Sequence, residues 1–392
     1  MQSNHRKDKI DFLIVGGGCI GTSTVVALKR KWLEARIVWY AGNHEHTASN
    51  DFLKIIRDAY PDPIMVEYAN RAMQKWKTAP YCDYFHQTSW IQAIDRNTKK
   101  TMNKGQSDEK VTNQQMMSLV GSTAEPLLST TEELFLNRNV GYADSDLAVQ
   151  AVYDNLAKLG VELHKENVTR LVIEVGKCVG VEVGDSIVRA EKTIVSAGAW
   201  TPSLLEKSDV AVPPGFFQVS AVGVAVLELS EEEFNALRSM PILVTENGEV
   251  MLSRAHKVLK MTTTETFRIG HPDELSDAVD ITPNREVLEK MLPQFGGREL
   301  KSFSCPDLLT LYQYPIVDEV KGIQQLTLAT GGSYHSYKLM TIIGEIVVLR
   351  ICGEESNDEL ERTVQARCKW ERHEGIQPVH PNIVPKREMP LK

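Results

Sequence analysis

The chain has 392 residues, of which 42% are hydrophobic and 24% are charged, an ordinary composition for a globular protein. This length predicts two or three domains with an ample hydrophobic core. The net charge of −8 and the lack of a basic stripe argue against a nucleic-acid partner. The six cysteines show neither disulfide nor zinc spacing, which indicates a reducing compartment and no metal site.

No segment of the chain predicts export or membrane insertion. The N-terminal apolar run is short, is interrupted by glycines and lacks a small-residue cleavage site, so it does not match a signal peptide. No stretch reaches the roughly 18 apolar residues that a membrane span needs. Pro390, Leu391 and Lys392 do not match the Ser-Lys-Leu peroxisomal signal. We therefore expect a cytoplasmic protein.

The chain opens with a predicted βαβ unit. The segment "KIDFLIVGGG" predicts a buried strand that runs into glycines, "IGTSTVVALKRKW" a helix, and "ARIVWY" a second buried strand. The charged, amide-rich segment 96–114 predicts an exposed loop. A helix is expected from residue 145 to Gly160, followed by short strands as far as "TIVSAG".

The second half of the chain begins with a strand-rich region at 217–229. It contains one predicted helix, "SEEEFNALRSM", in which Ser230 and Glu233 form a capping box. "GIQQLTLATGG" predicts a buried strand that ends in glycines, and "IIGEIVVLRICGE" a helix that ends at Gly353. The proline-rich tail from about residue 370 predicts an extended or frayed end.

Gly16, Gly18 and Gly21 form a Gly-x-Gly-x-x-Gly motif between the first strand and the first helix. In this context the glycines allow a tight turn, close approach of the backbone to a pyrophosphate, and close packing of helix against strand. The helix N-terminus then faces the phosphates. The motif therefore predicts dinucleotide binding.

The expected ribose-binding acid, about 20 positions further on, is absent. Trp39 or Tyr40 holds its place, and either the Tyr40 hydroxyl or Glu45 is a candidate ribose ligand. An enzyme that uses NAD usually continues with regular βαβ repeats. This chain instead continues with a loop, a helix with short strands and a late "ATGG" turn, an order that favours a flavin.

Four blocks of the sequence resemble the sarcosine oxidase and fructosyl amino acid oxidase (amadoriase) family of FAD-dependent amine oxidases. They are "FLIVGGGCIGTSTVVALKRK", "SNDFLKIIRDAYPDP", "GYADSDLAVQAVYDNLAKLGV" with "TIVSAGAW", and "LATGGSYHSYKLMTIIGEIV". The second block resembles the fungal amadoriase branch in particular.

The resemblance implies an α/β (α+β) two-domain fold. A Rossmann-like FAD-binding domain, of the glutathione-reductase/D-amino-acid-oxidase type, is interleaved with an antiparallel-sheet substrate domain. The expected FAD-binding domain comprises 1–90, 140–212 and 322–370, the expected substrate domain 91–139 and 213–321, and the tail 371–392. A monomer is expected.

The resemblance also implies substrate-binding residues. It places Lys54 near the flavin ring, and Arg57 and Lys338 on the substrate carboxylate. The chemistry of these side chains agrees, because Arg and Lys from separate segments can fix the orientation of a carboxylate. Spaced at i and i+3, Lys54 and Arg57 are expected to share one face of a helix.

In the family, the flavin ring is commonly tethered to a cysteine upstream of the glycine-turn lysine. Cys305 precedes Lys338 by 33 positions, which resembles the family spacing. The resemblance therefore implies FAD attached covalently through Cys305. The alternative is a plain buried thiol.

Lys260 is the match to a family lysine that promotes the reaction with oxygen, with Lys257 as the alternative. A cation at this place would stabilise negative charge that develops on oxygen. Glu265 is the candidate for the substrate-binding acid, but it is displaced by one position from the family pattern. On a regular strand such a shift turns the side chain to the other face, which puts fructosyl recognition in doubt.

The remaining cofactor-binding candidates come from the same blocks, and His335 could in addition influence the proton on the substrate amine. The complete predicted cofactor set is Gly16, Gly18, Cys19, Ile20, Gly21, Tyr40, Ser49, Asp51, Lys54, Val168, Ala197, Gly198, Trp200, Cys305, Gly331, Gly332, Ser333, Tyr334, His335 and Lys338.

The implied reaction is oxidation of a C–N bond. A secondary amine or N-substituted amino acid transfers hydride to flavin N5 and becomes an imine, and O2 becomes H2O2. Two alternatives remain open: the same chemistry on a saccharopine-type, pipecolate-type or secondary-metabolite amine, and a flavin-binding relative without activity.

Overall fold

The fold is described from a computed structural model that covers residues 9–97, 108–213, 215–275 and 280–370, Val379 and the backbone of 385–388. The α-helices are α1 (Cys19–Lys31), α2 (Pro63–Trp76), α3 (Asn113–Val120), α4 (Ser145–Lys158), α5 (Thr201–Lys207), α6 (Glu231–Leu237), α7 (Thr282–Met291), α8 (Ile343–Cys352) and α9 (Glu359–Arg367).

The strands account for most of the remaining regular structure. They are β1 (Phe12–Val15), β2 (Ile37–Tyr40), β3 (Leu53–Ile56), β4 (Phe85–Gln87), β5 (Trp90–Asp95), β6 (Glu109–Val111), β7 (Glu132–Asn137), β8 (Gly141–Asp144), β9 (Glu162–His164), β10 (Arg170–Glu174), β11 (Lys177–Val183), β12 (Ser186–Arg189), β13 (Lys192–Val195), β14 (Phe217–Glu228), β15 (Ile242–Thr245), β16 (Gly248–Ser253), β17 (Val258–Arg268), β18 (Lys301–Thr310), β19 (Ile316–Glu319), β20 (Leu326–Thr330) and β21 (Pro385–Glu388).

The chain divides into two compact units. The first comprises Met1–Asn50, Ala148–Val219 and Asp307–Pro378. Its main sheet has the order β19-β20-β13-β1-β2-β9, with parallel pairing except between β19 and β20. A second sheet has the order β10-β11-β12. The parallel central strands read as continuous apolar runs, such as "FLIV", because both of their faces are buried.

The second unit comprises Asp51–Leu147, Ser220–Pro306 and Val379–Lys392. Its large sheet has the order β18-β14-β17-β16-β15-β5-β7-β6, and β21 pairs with β17. A small sheet has the order β3-β8-β4. One face of the large sheet packs against α3 and α7 through a core that includes Leu243, Val250, Met261 and Leu288.

These units differ from the predicted domain boundaries at 51–90, 140–147, 213–219 and 307–321, and the first and last of these are the longest. Residues 51–90 belong to the second unit, because β3 pairs with β8 there and β5, which starts at Trp90, pairs with β15 of the large sheet. Residues 307–321 belong to the first unit, because β19 pairs with β20. In both places pairing with a strand distant in sequence decides which unit a segment joins.

The predicted fold class is confirmed, together with the opening βαβ unit, the helix that ends before Gly160 and the capping box of Ser230 and Glu233.

The loop prediction for 96–114 is wrong at its end, since Glu109–Val111 form β6 and α3 begins at Asn113. Thr112 and Gln115 form a second capping box there, a signal the charge pattern obscured. Residues 98–107 lie outside the described part, as does most of the predicted extended tail.

Candidate active site

The glycine turn between β1 and α1 is held from several sides. Gly16 has a φ of +113°, and an added Cβ there would lie 2.2 Å from the carbonyl oxygen of Ser196. Trp39 donates its indole N–H to the Gly16 carbonyl at 2.9 Å, and the Tyr153 hydroxyl donates to the Gly17 carbonyl at 2.5 Å. The turn is therefore restricted to glycine at Gly16 and fixed by two large side chains.

The N-terminus of α1 has the features of a phosphate-binding site. The helix begins at Cys19, whose backbone N–H donates to Ser49 Oγ at 2.9 Å, and no acidic residue lies in its first turn. A Cβ on Gly18 would come within 3.1 Å of the same Ser49 Oγ. Ile20 and Gly21 complete the turn. These residues fit the pyrophosphate of a dinucleotide, because the backbone is accessible at Gly18 and the helix dipole is unopposed.

Tyr40 lies at the end of β2, where the ribose-binding acid was expected. Its ring stacks on His164 with centroids 4.9 Å apart and an interplanar angle of 20°. Burial, with smaller contributions from Glu166 and Glu162, raises the pKa of the Tyr40 hydroxyl, which therefore stays neutral. His164 enters this position because β9 pairs with β2 in parallel, a partner that sequence reasoning did not identify.

Other predicted cofactor residues lie at the strand ends of the first unit. Ala197 and Gly198 follow β13, and Gly198 has a φ of +52°. Trp200 stacks on His44, with ring centroids 3.8 Å apart. Val168 packs at the edge of the apolar core of this unit.

The "GGSYHSYK" segment follows β20 in an unusual conformation. After Gly331, which has a φ of +88°, Ser333 and Tyr334 adopt φ values of +50° and +60°, an uncommon conformation for non-glycine residues. The Asp307 carboxylate accepts a hydrogen bond from the Tyr334 backbone N–H at 2.5 Å and approaches Gly332 closely. A buried carboxylate thus stabilises a strained turn, the kind of backbone that clusters at functional sites.

His335 and Lys338 are both buried in this segment. His335 Nε2 lies 2.6 Å from the carbonyl of Gln313, so that this nitrogen carries a proton. The Lys338 ammonium donates to the His335 carbonyl at 2.8 Å. These contacts fix the positions of both side chains.

In the second unit, Lys260, Asp51 and Lys54 form a buried cluster of charges. Lys260 Nζ lies 2.8 Å from Asp51 Oδ2 and 2.9 Å from the Leu53 carbonyl, and Lys54 Nζ lies 2.7 Å from Asp51 Oδ1. The Lys260 and Asp51 side chains are each 2% exposed. Burial lowers the pKa of Lys260, while the Asp51 charge opposes this shift and Lys54 adds to it.

Lys54 does not lie on a helix, so the prediction that it shares a helical face with Arg57 is wrong. Leu53–Ile56 form β3, and Lys54 pairs with Ala143 of β8. The β-branched Ile55 and Ile56 favour this pleated arrangement. The i and i+3 spacing therefore does not bring Lys54 and Arg57 together.

Arg57 lies just beyond β3 in an aromatic environment. Its guanidinium carbon is 4.4 Å from the centroid of the Tyr60 ring and 5.7 Å from that of Trp90, and its Nη1 donates to the Ala59 carbonyl. Only 8% of the residue is exposed. Burial raises the pKa of Tyr60 to about 12. The two rings position the Arg57 guanidinium through cation–π contacts. Sequence reasoning did not assign this role to Tyr60 or Trp90.

Cys305 lies in β18, is buried and forms no disulfide. It is near enough to Lys260 to contribute to the electrostatic environment of that ammonium group. Cys305 on β18 and Lys260 on β17 therefore belong to one sheet of the same unit, with β14 between the two strands.

Glu265 lies where β17 departs from regular pairing. Thr262 pairs with Val224 but Thr266 pairs with Val222, so the register between β17 and β14 shifts within this segment. The prediction that a one-residue displacement turns Glu265 to the other face assumes a regular strand, and β17 is irregular at this point.

Comparison with known proteins identifies the family. Residues 11–350 match the DAO family, described as FAD dependent oxidoreductase. The chain belongs to this family. It is 24% identical to L-saccharopine oxidase of Schizosaccharomyces pombe over 404 residues, covering 88% of this chain and 90% of that protein. It is 23% identical to monomeric sarcosine oxidase of a Bacillus species over 375 residues, covering 89% of this chain and 94% of that protein.

Several solved structures share the fold of this protein. A fructosyl peptide oxidase from E. terrenum aligns with a TM-score of 0.81 and 18% identity, over 98% of each chain. Amadoriase I from Aspergillus fumigatus aligns with a TM-score of 0.78 and 19% identity, over 94% of this chain and 93% of that one. The resemblance inferred from the four sequence blocks is thereby confirmed. In the described part of the chain, no helix is both long and apolar enough to cross a bilayer.

Proposed function

We propose that this FAD-dependent oxidoreductase is an oxidase of secondary amines or N-substituted amino acids. The carrying observation is the buried pair of Lys260 and Asp51 beside Cys305, within the unit that also holds Arg57 against two aromatic rings. The relatives support the proposal, because they are named L-saccharopine oxidase and monomeric sarcosine oxidase.

When bound, FAD would supply a hydride acceptor for the substrate and a two-electron donor for O2. The substrate loses hydride from the carbon next to nitrogen and a proton from nitrogen, and becomes an imine. O2 takes up two electrons and two protons and becomes H2O2. The protein contributes orientation and electrostatics.

Each site residue has a proposed role in this scheme. Arg57 binds the substrate carboxylate through its guanidinium, which contacts with the Tyr60 and Trp90 rings keep in position. Lys338 is a second carboxylate ligand, fixed by the His335 carbonyl. Glu265 is a ligand for the amine side of the substrate.

Lys260 acts in the oxygen half of the reaction. Its ammonium stabilises negative charge that develops on O2, a form of catalysis that is strong in a buried site. The Asp51 charge opposes the lowering of the Lys260 pKa by burial, and Lys54, which pairs with the same carboxylate, is proposed to lie near the flavin ring.

Cofactor binding is proposed at the glycine turn, with covalent attachment through Cys305. The first unit is the proposed FAD-binding domain and the second the proposed substrate domain. Tyr40 is proposed to hold the ribose through its neutral hydroxyl. We further propose a monomer in a reducing compartment such as the cytoplasm, consistent with cysteines that form no disulfide among the described residues.

The test is anaerobic mixing of the purified, FAD-loaded protein with a panel of secondary amines and N-substituted amino acids. Bleaching of the flavin absorbance, followed on aeration by stoichiometric H2O2, is the expected result. A protein that takes up no FAD, or whose flavin no amine reduces, would overturn the proposal.

A further inference from the structure

Two peptide groups of the glycine turn are held by side chains from outside it. The Gly16 carbonyl accepts a hydrogen bond from the Trp39 indole N–H at 2.9 Å, and the Gly17 carbonyl accepts one from the Tyr153 hydroxyl at 2.5 Å. Thr22 Oγ1 also donates to the Gly17 carbonyl, at 3.3 Å. The direction of both carbonyl groups is therefore fixed by side chains.

The N–H groups of the same two peptides point the opposite way. In a trans peptide the C=O and N–H bonds lie in one plane and are directed to opposite sides. The Gly16 carbonyl thus determines the direction of the Gly17 N–H, and the Gly17 carbonyl that of the Gly18 N–H. Neither N–H donates to an acceptor within the described part of the chain. Two oriented donors are left beside the first turn of α1.

Trp39 and Tyr153 are themselves held in place. Trp39 is 0% exposed, and its ring meets the Tyr153 ring edge to face, with centroids 4.7 Å apart and an interplanar angle of 80°. Burial raises the pKa of Tyr153, with a smaller opposing effect of Thr22, so the hydroxyl keeps the proton that it donates. Each of the two side chains can therefore act as a fixed hydrogen-bond donor.

The two sides of the turn differ in how closely they are packed. An added Cβ on Gly17 would collide with the Tyr153 hydroxyl and with Ala41. An added Cβ on Gly18 would have only Ser49 within 4 Å. A phosphate fits beside Gly18, because its oxygens accept hydrogen bonds and its charge is favoured at the N-terminus of a helix.

We infer that Trp39 and Tyr153 are positioning residues that direct the Gly17 and Gly18 N–H groups at the pyrophosphate of FAD. This inference rests on the proposed function, in which FAD binds at the glycine turn. It assigns part of the cofactor affinity to two aromatic side chains outside the glycine motif. Without their hydrogen bonds the two peptides can rotate, and binding must then restrict that rotation at a cost in affinity.

The experiment measures the dissociation constant of FAD in a Cys305→Ala parent, in which the proposed thioether cannot form. The apoprotein is titrated with FAD while flavin fluorescence is followed. Tyr153→Phe in this parent removes one hydroxyl and keeps the ring, and is expected to raise the dissociation constant roughly five- to tenfold. Trp39→Phe removes the indole N–H and should raise it at least as much, because it also leaves a cavity.

Phosphorus NMR of the FAD-saturated proteins separates positioning from a general effect on the fold. The pyrophosphate resonances should move in Tyr153→Phe, because the amide donors no longer have a fixed orientation, whereas the absorbance band of the flavin ring should stay in place. Tyr142→Phe is the matched control, since it removes a buried hydroxyl from the second unit and should change neither the affinity nor the resonances. Urea unfolding of each apoprotein verifies that the variants fold, and either aromatic variant that folds is sufficient for the test.

The outcomes distinguish this inference from the proposed function. A dissociation constant of the folded variant within about twofold of the parent value would overturn the inference. Weaker binding with unchanged pyrophosphate resonances would also overturn it, because the side chain would then act through the fold alone. In both cases the parent binds FAD and the proposed oxidase function stands. If the parent binds no FAD, the proposed function fails, and the inference with it.

Discussion

Lys260 and Asp51 form an ion pair of 2.8 Å in which both side chains are 2% exposed. They lie 209 residues apart in sequence. An isolated buried ammonium loses its proton readily, so the carboxylate determines the pH range over which Lys260 remains a cation.

Asp51→Asn is expected to shift the pH dependence of flavin reoxidation. Burial lowers the pKa of Lys260 and the Asp51 charge raises it, so removing that charge lowers the pKa further. The ammonium is then lost at lower pH, and the reoxidation rate should fall at lower pH than in the wild type. Stopped-flow reoxidation between about pH 6 and 10 measures this shift.

Asp209→Asn is the matched control, because Asp209 is an exposed partner of Arg170 in the other unit. It should leave the profile unchanged. An Asp51→Asn profile that superimposes on the wild type would contradict the positioning role.

Lys260→Met should slow reoxidation by O2 about 100-fold, the scale of removing one electrostatic stabiliser in a buried site. Anaerobic reduction by substrate should change far less. Lys257→Met is the control, since Lys257 pairs at the surface with Glu231. Equal effects of Lys260→Met on both half-reactions would exclude its role with oxygen.

Cys305→Ala should yield a protein whose flavin is released by acid precipitation, because the proposed thioether is lost. The wild-type precipitate should remain yellow. Cys178→Ala removes another buried thiol and should keep the colour on the precipitated chain. Colour retained by precipitated Cys305→Ala would refute the tether, and colour released from the wild type would show that FAD is not covalent.

Arg57→Met should raise the KM for N-methylglycine by roughly 10- to 100-fold, because a charge-assisted contact to the carboxylate is removed. The KM for N-methylpropylamine, which has no carboxylate, should change little. Arg36→Met, at an exposed ion pair with Glu162, is the control. Equal increases for both substrates would argue against carboxylate binding.

Tyr60→Phe should reduce the fall in the free energy of unfolding at alkaline pH. The pKa of Tyr60 is about 12 in the fold, above the ordinary value of about 10, because burial favours the neutral phenol. The unfolded chain therefore releases this proton first, and stability falls as pH rises through 10 to 12, by up to about 3 kcal/mol. Urea titrations at several pH values between 9 and 11.5 should show a smaller decline for Tyr60→Phe. Identical declines would contradict the assignment.

Local sequence signals predicted the secondary structure where they were strong. The apolar runs before glycines gave β1 and β20, and the capping residues Ser230 and Glu233 gave α6. The segment around Lys54 was harder, because its apolar spacing suited a helix as well as a strand. Pairing with β8 decided between them.

The candidate site was predictable only in part. Family resemblance identified Lys260, Cys305 and Arg57, but not the aromatic rings around Arg57 or the pairing of Asp51 with Lys260. Neither has a local signal, because contacts between distant segments depend on strand order and register.

The sequence by itself determined the nucleotide motif and the opening βαβ unit, since these depend on spacing within a few residues, whereas the candidate thiol and cations came from the resemblance to a known family. Tertiary structure alone decided that Asp51 faces Lys260, and that the Tyr60 and Trp90 rings lie against Arg57. The physical reason is that side-chain direction alternates along each strand, so the residues that meet are set by the register of strands far apart in sequence.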